Sequence, residues 1–107
     1  VWDRIDARLL DHYFDPHNVY SIPYVWQLSG LAVDMNVFKD QLPEATWGLL
    51  FDKTLVPGCV VMPDVAQEVI QIAALYLFGT IDNIHDKKLE KIYTLLCEQK
   101  QWVAAYS

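Results

Sequence analysis

The sequence predicts an α/β fold, in which helices flank a parallel or mixed sheet. Segments typical of strands and helices follow one another in the order strand, helix, strand, helix, helix, strand along the 107 residues. One of the predicted helices is apolar on nearly all sides, which is typical of a helix buried on more than one face. Such a helix and short apolar strands together require a sheet that the helices cover.

The first 36 residues combine a broken helix with extended chain. The stretch "DARLLDHYF" can form a helical turn or two, and "DPHN" then interrupts it with residues that favour turns. Two segments rich in Val, Ile, Tyr and Trp follow at 21–27 and 29–35, and we predict both as strands.

A short helix and a short strand are predicted next. The stretch "LPEATWGLLFDK" favours a helix with Thr46 at its N-cap and with Trp47, Leu50 and Phe51 on its inner side. The following "LVPGCVVMP" predicts a buried strand between a Pro-Gly turn and a terminating proline.

The strongest local signal opens the third predicted helix. Asp64 precedes an apolar run and Gln67 stands three residues later, which predicts a capping-box variant at the start of a helix that lasts until Gly79. After the first turn this helix is apolar nearly all round: Val69, Ile70, Ile72, Ala73, Leu75, Tyr76, Leu77 and Phe78.

The last helix and strand complete the pattern. The stretch "DKKLEKIYTLLCEQKQ" predicts a helix capped by Asp86 with four residues facing inward, which are Leu89, Ile92, Tyr93 and Leu96. "WVAAYS" at the end is typical of a strand. Cys59 and Cys97 lie in apolar stretches and are interpreted as small buried side chains, with one disulfide between them as the alternative.

Composition limits the classes of function. A content of 53% hydrophobic and 21% charged residues indicates at most one globular domain. Fourteen acidic against eight basic side chains give a net charge of −6, which argues against nucleic acid and favours cationic or neutral partners. No run reaches the roughly 20 apolar residues of a membrane span, and no signal-peptide pattern is present. The start at Val1 indicates a trimmed or processed chain.

The order of these motifs resembles a known family. "FDPHNVYSIPYVW" at 14–26, "GCVVMPDVAQEV" at 58–69 and "VAAY" at 103–106 are similar to bacterial spermidine/putrescine-binding proteins. The resemblance implies part of a type II periplasmic-binding-protein fold: 1–36 would cross at the hinge into the second lobe, and 37–107 would form the first half of that lobe, a mixed sheet flanked by helices. It also implies a periplasmic location, a polyamine ligand and the membrane subunits of an ABC permease as partners, with no cofactor.

Glu68 is the main candidate for contact with such a ligand. It lies in the first predicted turn after Asp64, where backbone N–H groups and the helix dipole favour an ionised carboxylate that can hold an ammonium group. In the family the matching glutamate contacts an amine; the alternative is that Glu68 only stabilises the helix start. Asp64 is a second candidate, although its oxygens are expected to cap the helix. Val65 replaces an acid that is usual in the family, which leaves another amine or a different small solute open as the ligand.

Aromatic residues are weaker candidates for the same site. Tyr24 and Trp26 can offer ring faces to a cation, as can Tyr20, but packing in a core or hinge is the competing interpretation. Trp47 and Trp102 are predicted as core residues.

Nothing in the sequence favours catalysis. His12, His17 and His85 are scattered, and "DNIHD" around His85 matches no zinc or calcium spacing, so a solvated loop is predicted there and no metal site. No phosphate-binding loop, nucleophile elbow or Cys-His pair is present, so the chain is not predicted to be an enzyme. Because a cleft needs two walls, the isolated chain is expected to bind ligand poorly and to dimerise or exchange strands.

Overall fold

A computed structural model describes residues 2–107 of the chain. The chain divides into two compact units, Val1–Gly30 and Leu31–Ser107. The first contains short 3₁₀ turns and no regular strand or α-helix among its described residues. The second contains all the α-helices and strands of the described chain, so the helix-and-sheet part of the predicted α/β fold is found there.

The first unit begins with 3₁₀ turns at Trp2–Arg4 and Ala7–Leu9. The turn at Ala7–Leu9 lies in the stretch "DARLLDHYF", for which a helical turn or two is predicted. The side chain of Asp6 caps it by accepting a hydrogen bond from the Arg8 backbone N–H at 3.0 Å. The same carboxylate pairs with the Arg8 guanidinium, and this contact lowers the pKa of Asp6.

Asp15 organises the turn that follows. Its side chain is 5% exposed, and its carboxylate accepts hydrogen bonds from the Val19 backbone N–H at 3.0 Å, the Tyr20 backbone N–H at 3.3 Å and the Ser21 hydroxyl. These bonds, with the Ser21 hydroxyl foremost, lower the pKa of Asp15. The 3₁₀ turn Pro16–Asn18 lies inside this loop, as the turn-forming residues of "DPHN" predict.

The two strands predicted at 21–27 and 29–35 are not formed. Residues 21–34 run without helix, strand, turn or bend, and a turn occupies 35–40. The residue types were suitable for strands, but a strand exists only where a neighbouring strand accepts and donates its backbone hydrogen bonds. No backbone–backbone hydrogen bond of the described chain involves residues 22–26.

In the second unit, the predicted short helix is α1, at Gly48–Phe51. Its N-cap position falls on Trp47, one residue later than predicted, yet the Thr46 hydroxyl oxygen accepts a hydrogen bond from the Gly48 backbone N–H at 3.1 Å. Thr46 therefore still satisfies a donor of the first turn. Trp47, Leu50 and Phe51 pack in or against the core, as predicted.

The sheet consists of two parallel strands, β1 at Val61–Met62 and β2 at Ala105–Tyr106. Val61 pairs with Ala105 and Met62 with Tyr106. The ladder continues at both ends through hydrogen bonds from the Ala104 N–H to the Val60 carbonyl at 2.8 Å and from the Ser107 N–H to the Met62 carbonyl at 2.9 Å. Parallel strands require a long crossover, and two helices between β1 and β2 provide it.

The first crossover helix, α2, spans Ala66–Phe78 and does not begin as predicted. Asp64 is not its N-cap; the Asp64 backbone N–H is bonded to the Ser107 carbonyl at the end of the ladder, at 3.0 Å. The N-cap falls on Val65, whose side chain cannot cap. The predicted stop at Gly79 is confirmed, since Gly79 adopts a left-handed conformation with φ 70° and donates to the Leu75 carbonyl.

The second crossover helix, α3, spans Asp86–Gln99 and packs on α2. Its N-cap is His85 rather than Asp86, because His85 has extended φ/ψ and Asp86 is already helical. Ile92 is buried and Leu96 packs against the core as predicted, but Tyr93 and Leu89 are exposed. The inward face instead includes Leu95 and Gln99, so it is rotated relative to the predicted one.

The core is built from α1, β1, α2 and α3. Its buried members are Phe51, Val60, Met62, Val69, Ile72, Ala73, Ala74 and Ile92. Gln99 is the buried polar side chain of this unit, and its amide group donates to the Leu50 carbonyl at 2.6 Å, tying the end of α3 to α1. Cys59 and Cys97 are both exposed and unbridged, contrary to the buried positions that were predicted. Cys59 follows the exposed Pro57-Gly58 bend, and Cys97 lies on the side of α3 that faces away from the core.

Candidate ligand-binding site

Glu68 lies in the first turn of α2, where the sequence predicts it. Its side chain is half-buried, at the end of the helix where backbone N–H groups have no intrahelical acceptors. Val65, the N-cap residue of α2, makes no side-chain cap hydrogen bond. Glu68 therefore lies at the positive end of the helix dipole.

Asp64 is exposed just before the same helix. The sequence predicts that its carboxylate is consumed by the helix cap, and this prediction is wrong because Val65 occupies the cap position. Its backbone is held at the end of the ladder by the bond to Ser107, and it stands two residues before the first residue of α2. The structure thus brings two acidic residues, Asp64 and Glu68, to one end of one helix.

Val65 separates these acids and is 50% exposed. A β-branched residue is a poor N-cap, so its position there is not explained by local helix stability. An apolar side chain in this place reduces the negative charge that the end of α2 offers to a cation.

Tyr24 and Trp26 lie in the first unit, in the run without regular structure that follows Ser21. Their side chains are 97% and 64% exposed, and Tyr20 is 92% exposed. Packing in a core is therefore not their role in this chain, and their ring faces are open to solvent. Trp47 and Trp102, by contrast, pack against the core of the second unit, as predicted.

The described part of the chain contains neither a candidate metal site nor a helix that could span a membrane. Across residues 2–107 there is no cluster of three or more His, Cys, Asp or Glu side chains suited to hold a metal ion. Across the same residues, none of the helices has the length and apolar character needed to cross a bilayer.

Comparison with known proteins identifies relatives of the whole chain. The chain is 30% identical over 106 residues to the spermidine/putrescine-binding periplasmic protein of Escherichia coli (strain K12), an alignment that covers 99% of this chain and 30% of that protein. It is 29% identical over 104 residues to the protein of the same name from Salmonella typhimurium, covering 97% of this chain and 29% of that protein. The chain is homologous to a segment of spermidine/putrescine-binding periplasmic proteins. It spans about 30% of the length of these relatives.

The name of a further relative also describes amine binding. The putrescine/agmatine-binding protein of Pseudomonas aeruginosa is 27% identical over an alignment of 112 residues, which covers 95% of this chain and 30% of that protein. All these names describe binding proteins and none describes an enzyme, in agreement with the prediction from sequence. No family model and no solved structure matches the chain.

The sequence interpretation missed one property of the site. The availability of Asp64 depends on where β1 releases the chain, and a capping-box pattern by itself favours the opposite assignment. The β-branched Val65 directly after Asp64 was the available signal, because extended backbone at that residue places the helix start one residue further on.

Proposed function

We infer that this chain is part of a periplasmic solute receptor that binds polyamines such as spermidine or putrescine. The observation that carries the proposal is an alignment with a spermidine/putrescine-binding protein. The alignment covers 99% of this chain at 30% identity. In this proposal residues 1–36 cross at the hinge into the second lobe of a type II periplasmic-binding-protein fold, and residues 37–107 form the first half of that lobe. The receptor delivers its ligand to the membrane subunits of an ABC permease when its lobes close.

The carboxylates at the start of α2 hold the cationic groups of the ligand. Glu68 lies in the first turn of α2, and a carboxylate forms strong charge-assisted hydrogen bonds with an ammonium N–H. Asp64 supplies a second negative charge beside it, which its release from capping supports. The net charge of −6 adds a long-range attraction for cations, effective over about 8 Å at physiological salt.

Tyr24 and Trp26 are the proposed aromatic contacts. Exposed ring faces attract ammonium groups through the ring quadrupole, and Trp is the best of the aromatic side chains in this role. The exposure of both side chains in this chain supports the assignment, because rings used up in a core would be unavailable.

A second candidate function is the binding of a different small solute by the same kind of receptor. Val65, half-exposed between the two acids, favours this candidate. A site in which Val65 replaces the acid that is usual in the family has one negative charge fewer than the family's site. Such a site suits a monoamine or a partly neutral solute better than it suits a diamine.

Replacement of Glu68 tests the first candidate. In the full-length receptor that contains this chain, Glu68→Gln should weaken spermidine and putrescine binding by about 10- to 150-fold, the range expected for losing a hydrogen bond to a charged group. Isothermal titration calorimetry measures the change. Glu90→Gln removes the same charge from the exposed face of α3 and is the matched control, expected to alter affinity less than about threefold. Equal affinities of the Glu68→Gln variant and the parent receptor would remove Glu68 from the site.

Restoring an acid at position 65 separates the two candidates. Under the polyamine proposal Val65→Asp should strengthen putrescine binding by about tenfold, because a further carboxylate beside Asp64 and Glu68 gains a charged hydrogen bond. A gain of affinity cannot result from misfolding. If neither the parent receptor nor the Val65→Asp variant binds a polyamine in the titration, the second candidate is favoured.

A further inference from the structure

Asp15 is 5% exposed although its side chain is acidic. A carboxylate is stable in such a position only when its oxygens are paired. One oxygen accepts a hydrogen bond from the Val19 backbone N–H at 3.0 Å, both lie 3.3 Å from the Tyr20 backbone nitrogen, and the Ser21 hydroxyl donates to the other oxygen. The carboxylate therefore fixes the backbone at 19–21, and its paired oxygens are not available to a ligand.

Further hydrogen bonds close the same loop, residues 11–21, which we call the Asp15 loop. The Asp11 backbone N–H donates to Asn18 Oδ1 at 2.8 Å, and the His17 backbone N–H donates to Asp11 Oδ1 at 2.8 Å. Asp11, His17 and Asn18 have φ angles of 58°, 61° and 49°. A left-handed backbone is uncommon for residues other than glycine, and it persists where surrounding contacts hold it, often at functional sites. The Asp15 loop is therefore held in one conformation by its own side chains.

The chain that leaves the Asp15 loop is stiff as far as Tyr24. Ser21 is held by the bond from its hydroxyl to Asp15. Ile22 precedes a proline, which restricts it to extended conformations, and the ring of Pro23 fixes its own φ. Because these residues have few free torsion angles, the conformation of the Asp15 loop sets the position of Tyr24 relative to the loop.

We propose that Asp15 is a positioning residue for ligand binding, which holds the Asp15 loop in the conformation that presents Tyr24 to the ligand. This inference rests on the proposed function, in which Tyr24 is an aromatic contact. A ring attracts an ammonium group only within about 6 Å of its centroid, so the position of Tyr24 matters. When only a fraction of the molecules has the competent conformation, the apparent affinity falls by that fraction. Asp15 therefore raises the affinity without contacting the ligand.

Asp15→Asn in the full-length receptor that contains this chain tests the positioning role. The amide nitrogen cannot accept the hydrogen bonds of the oxygen that it replaces, so the Kd for putrescine should rise about tenfold if the competent fraction falls to about a tenth. Isothermal titration calorimetry measures the Kd together with the number of sites per molecule. The number of sites should stay that of the parent receptor, because loss of positioning lowers the affinity of every molecule, whereas misfolding removes binding molecules.

Asp52→Asn is the matched control. The Asp52 carboxylate also organises a turn, since it accepts hydrogen bonds from the Thr54 backbone N–H at 2.9 Å and from the Thr54 hydroxyl at 2.6 Å. The substitution removes the same charge and the same kind of bonds, but in the second unit and away from Tyr24 in the sequence. It should change the Kd for putrescine by less than about threefold.

A double-mutant cycle tests whether Asp15 acts through Tyr24. In a receptor that carries Tyr24→Ala, Asp15→Asn should weaken putrescine binding by less than about threefold, because the ring that it positions is gone. Ser21→Ala removes one donor and keeps the charge of Asp15, and it should weaken binding to the otherwise unchanged receptor by about threefold.

The outcomes separate this inference from the proposed function. A parent receptor that binds no polyamine would overturn both. If the parent receptor binds putrescine, an equal affinity of Asp15→Asn, or a loss of the same size with and without Tyr24, would overturn the positioning role and leave the proposed function intact. If Asp15→Asn lowers the number of sites, Ser21→Ala decides, and an unchanged affinity of that variant would overturn the positioning role.

Discussion

At the scale of single residues, Asp15 shows how one side chain can replace regular structure. The first unit has no sheet and no α-helix among its described residues, so its backbone donors bond within turns, to side chains or to water. The Asp15 carboxylate accepts from two backbone N–H groups and one hydroxyl and thereby sets the geometry of the chain between Pro16 and Ser21. Protonation removes the negative charge of the Asp15 carboxylate and therefore weakens the hydrogen bonds that it accepts.

We predict that this loop opens in acid. The hydrogen bonds lower the pKa of Asp15 below its ordinary value of 3.8. A lowered folded-state pKa means that the stabilisation is fully present above the unfolded pKa and is lost as pH falls through the folded value. The amide protons of Val19 and Tyr20 should therefore be protected at neutral pH and lose protection below about pH 4, measured by hydrogen exchange with NMR detection.

Removal of the charge gives the complementary result. Asp15→Asn keeps one acceptor oxygen but loses the second, so the protection of the same two amides should fall at neutral pH and no longer depend on acid. Asp40→Asn, an exposed acid in a different turn, is the control. Protection that is unchanged in Asp15→Asn would show that other contacts hold the loop.

At the scale of elements, the sequence predicted one end of α2 and not the other. The end at Gly79 was predicted, whereas the N-cap was predicted at Asp64 and lies at Val65. Its end is set by Gly79, which adopts φ 70° and so satisfies the Leu75 carbonyl. Its beginning is set by the sheet, because the bond from Asp64 to Ser107 keeps the chain extended until Val65. One end therefore depends on the conformational freedom of a single residue, and the other on a strand more than 40 residues away.

We expect Gly79→Ala to destabilise the second unit by about 1–2 kcal/mol, since a left-handed backbone is unfavourable for a residue with a Cβ. No atom lies within 4 Å of a Cβ built at Gly79, so the backbone conformation and not a clash causes the loss. Gly30→Ala is the matched control, because its Cβ also meets nothing within 4 Å and its φ is not positive. Urea unfolding followed by circular dichroism measures both; equal free energies of unfolding for the two variants would contradict the explanation.

At the scale of the whole molecule, burial is distributed unevenly along the chain. In residues 2–30 the buried side chain is Asp15, whereas the second unit contains a continuous core of eight buried apolar residues. Apolar burial is the main source of stability, so the two units should differ in their resistance to local opening.

Limited proteolysis should reveal this difference. Chymotrypsin is expected to cut first after Tyr20, Tyr24 or Trp26, because these residues are exposed in chain without regular structure, and to leave a resistant fragment that contains α1 to β2. Mass spectrometry identifies the first products at a protein concentration where light scattering shows a monomer. First cuts within α2 or α3 would contradict the expectation.

The sequence by itself determined the features that depend on neighbouring residues. The periodicity of apolar residues predicted α2 and α3, Gly79 predicted the end of α2, and the apolar runs around Val61 and Ala105 predicted two short strands. The motifs shared with polyamine-binding proteins were also readable, and the comparison with known proteins supports them. Glu68 occupies the helix turn that local capping logic assigned to it.

Only the tertiary structure decided the features that depend on distant partners. Residues 21–35 have strand-forming side chains but no strand to pair with, so they do not form a strand. The ladder bond to Ser107 moved the start of α2 and released the Asp64 carboxylate, and packing against α2 selected the face of α3 that is buried. The physical reason is the same in each case: a hydrogen bond or a buried contact needs two partners, and a local pattern specifies only one of them.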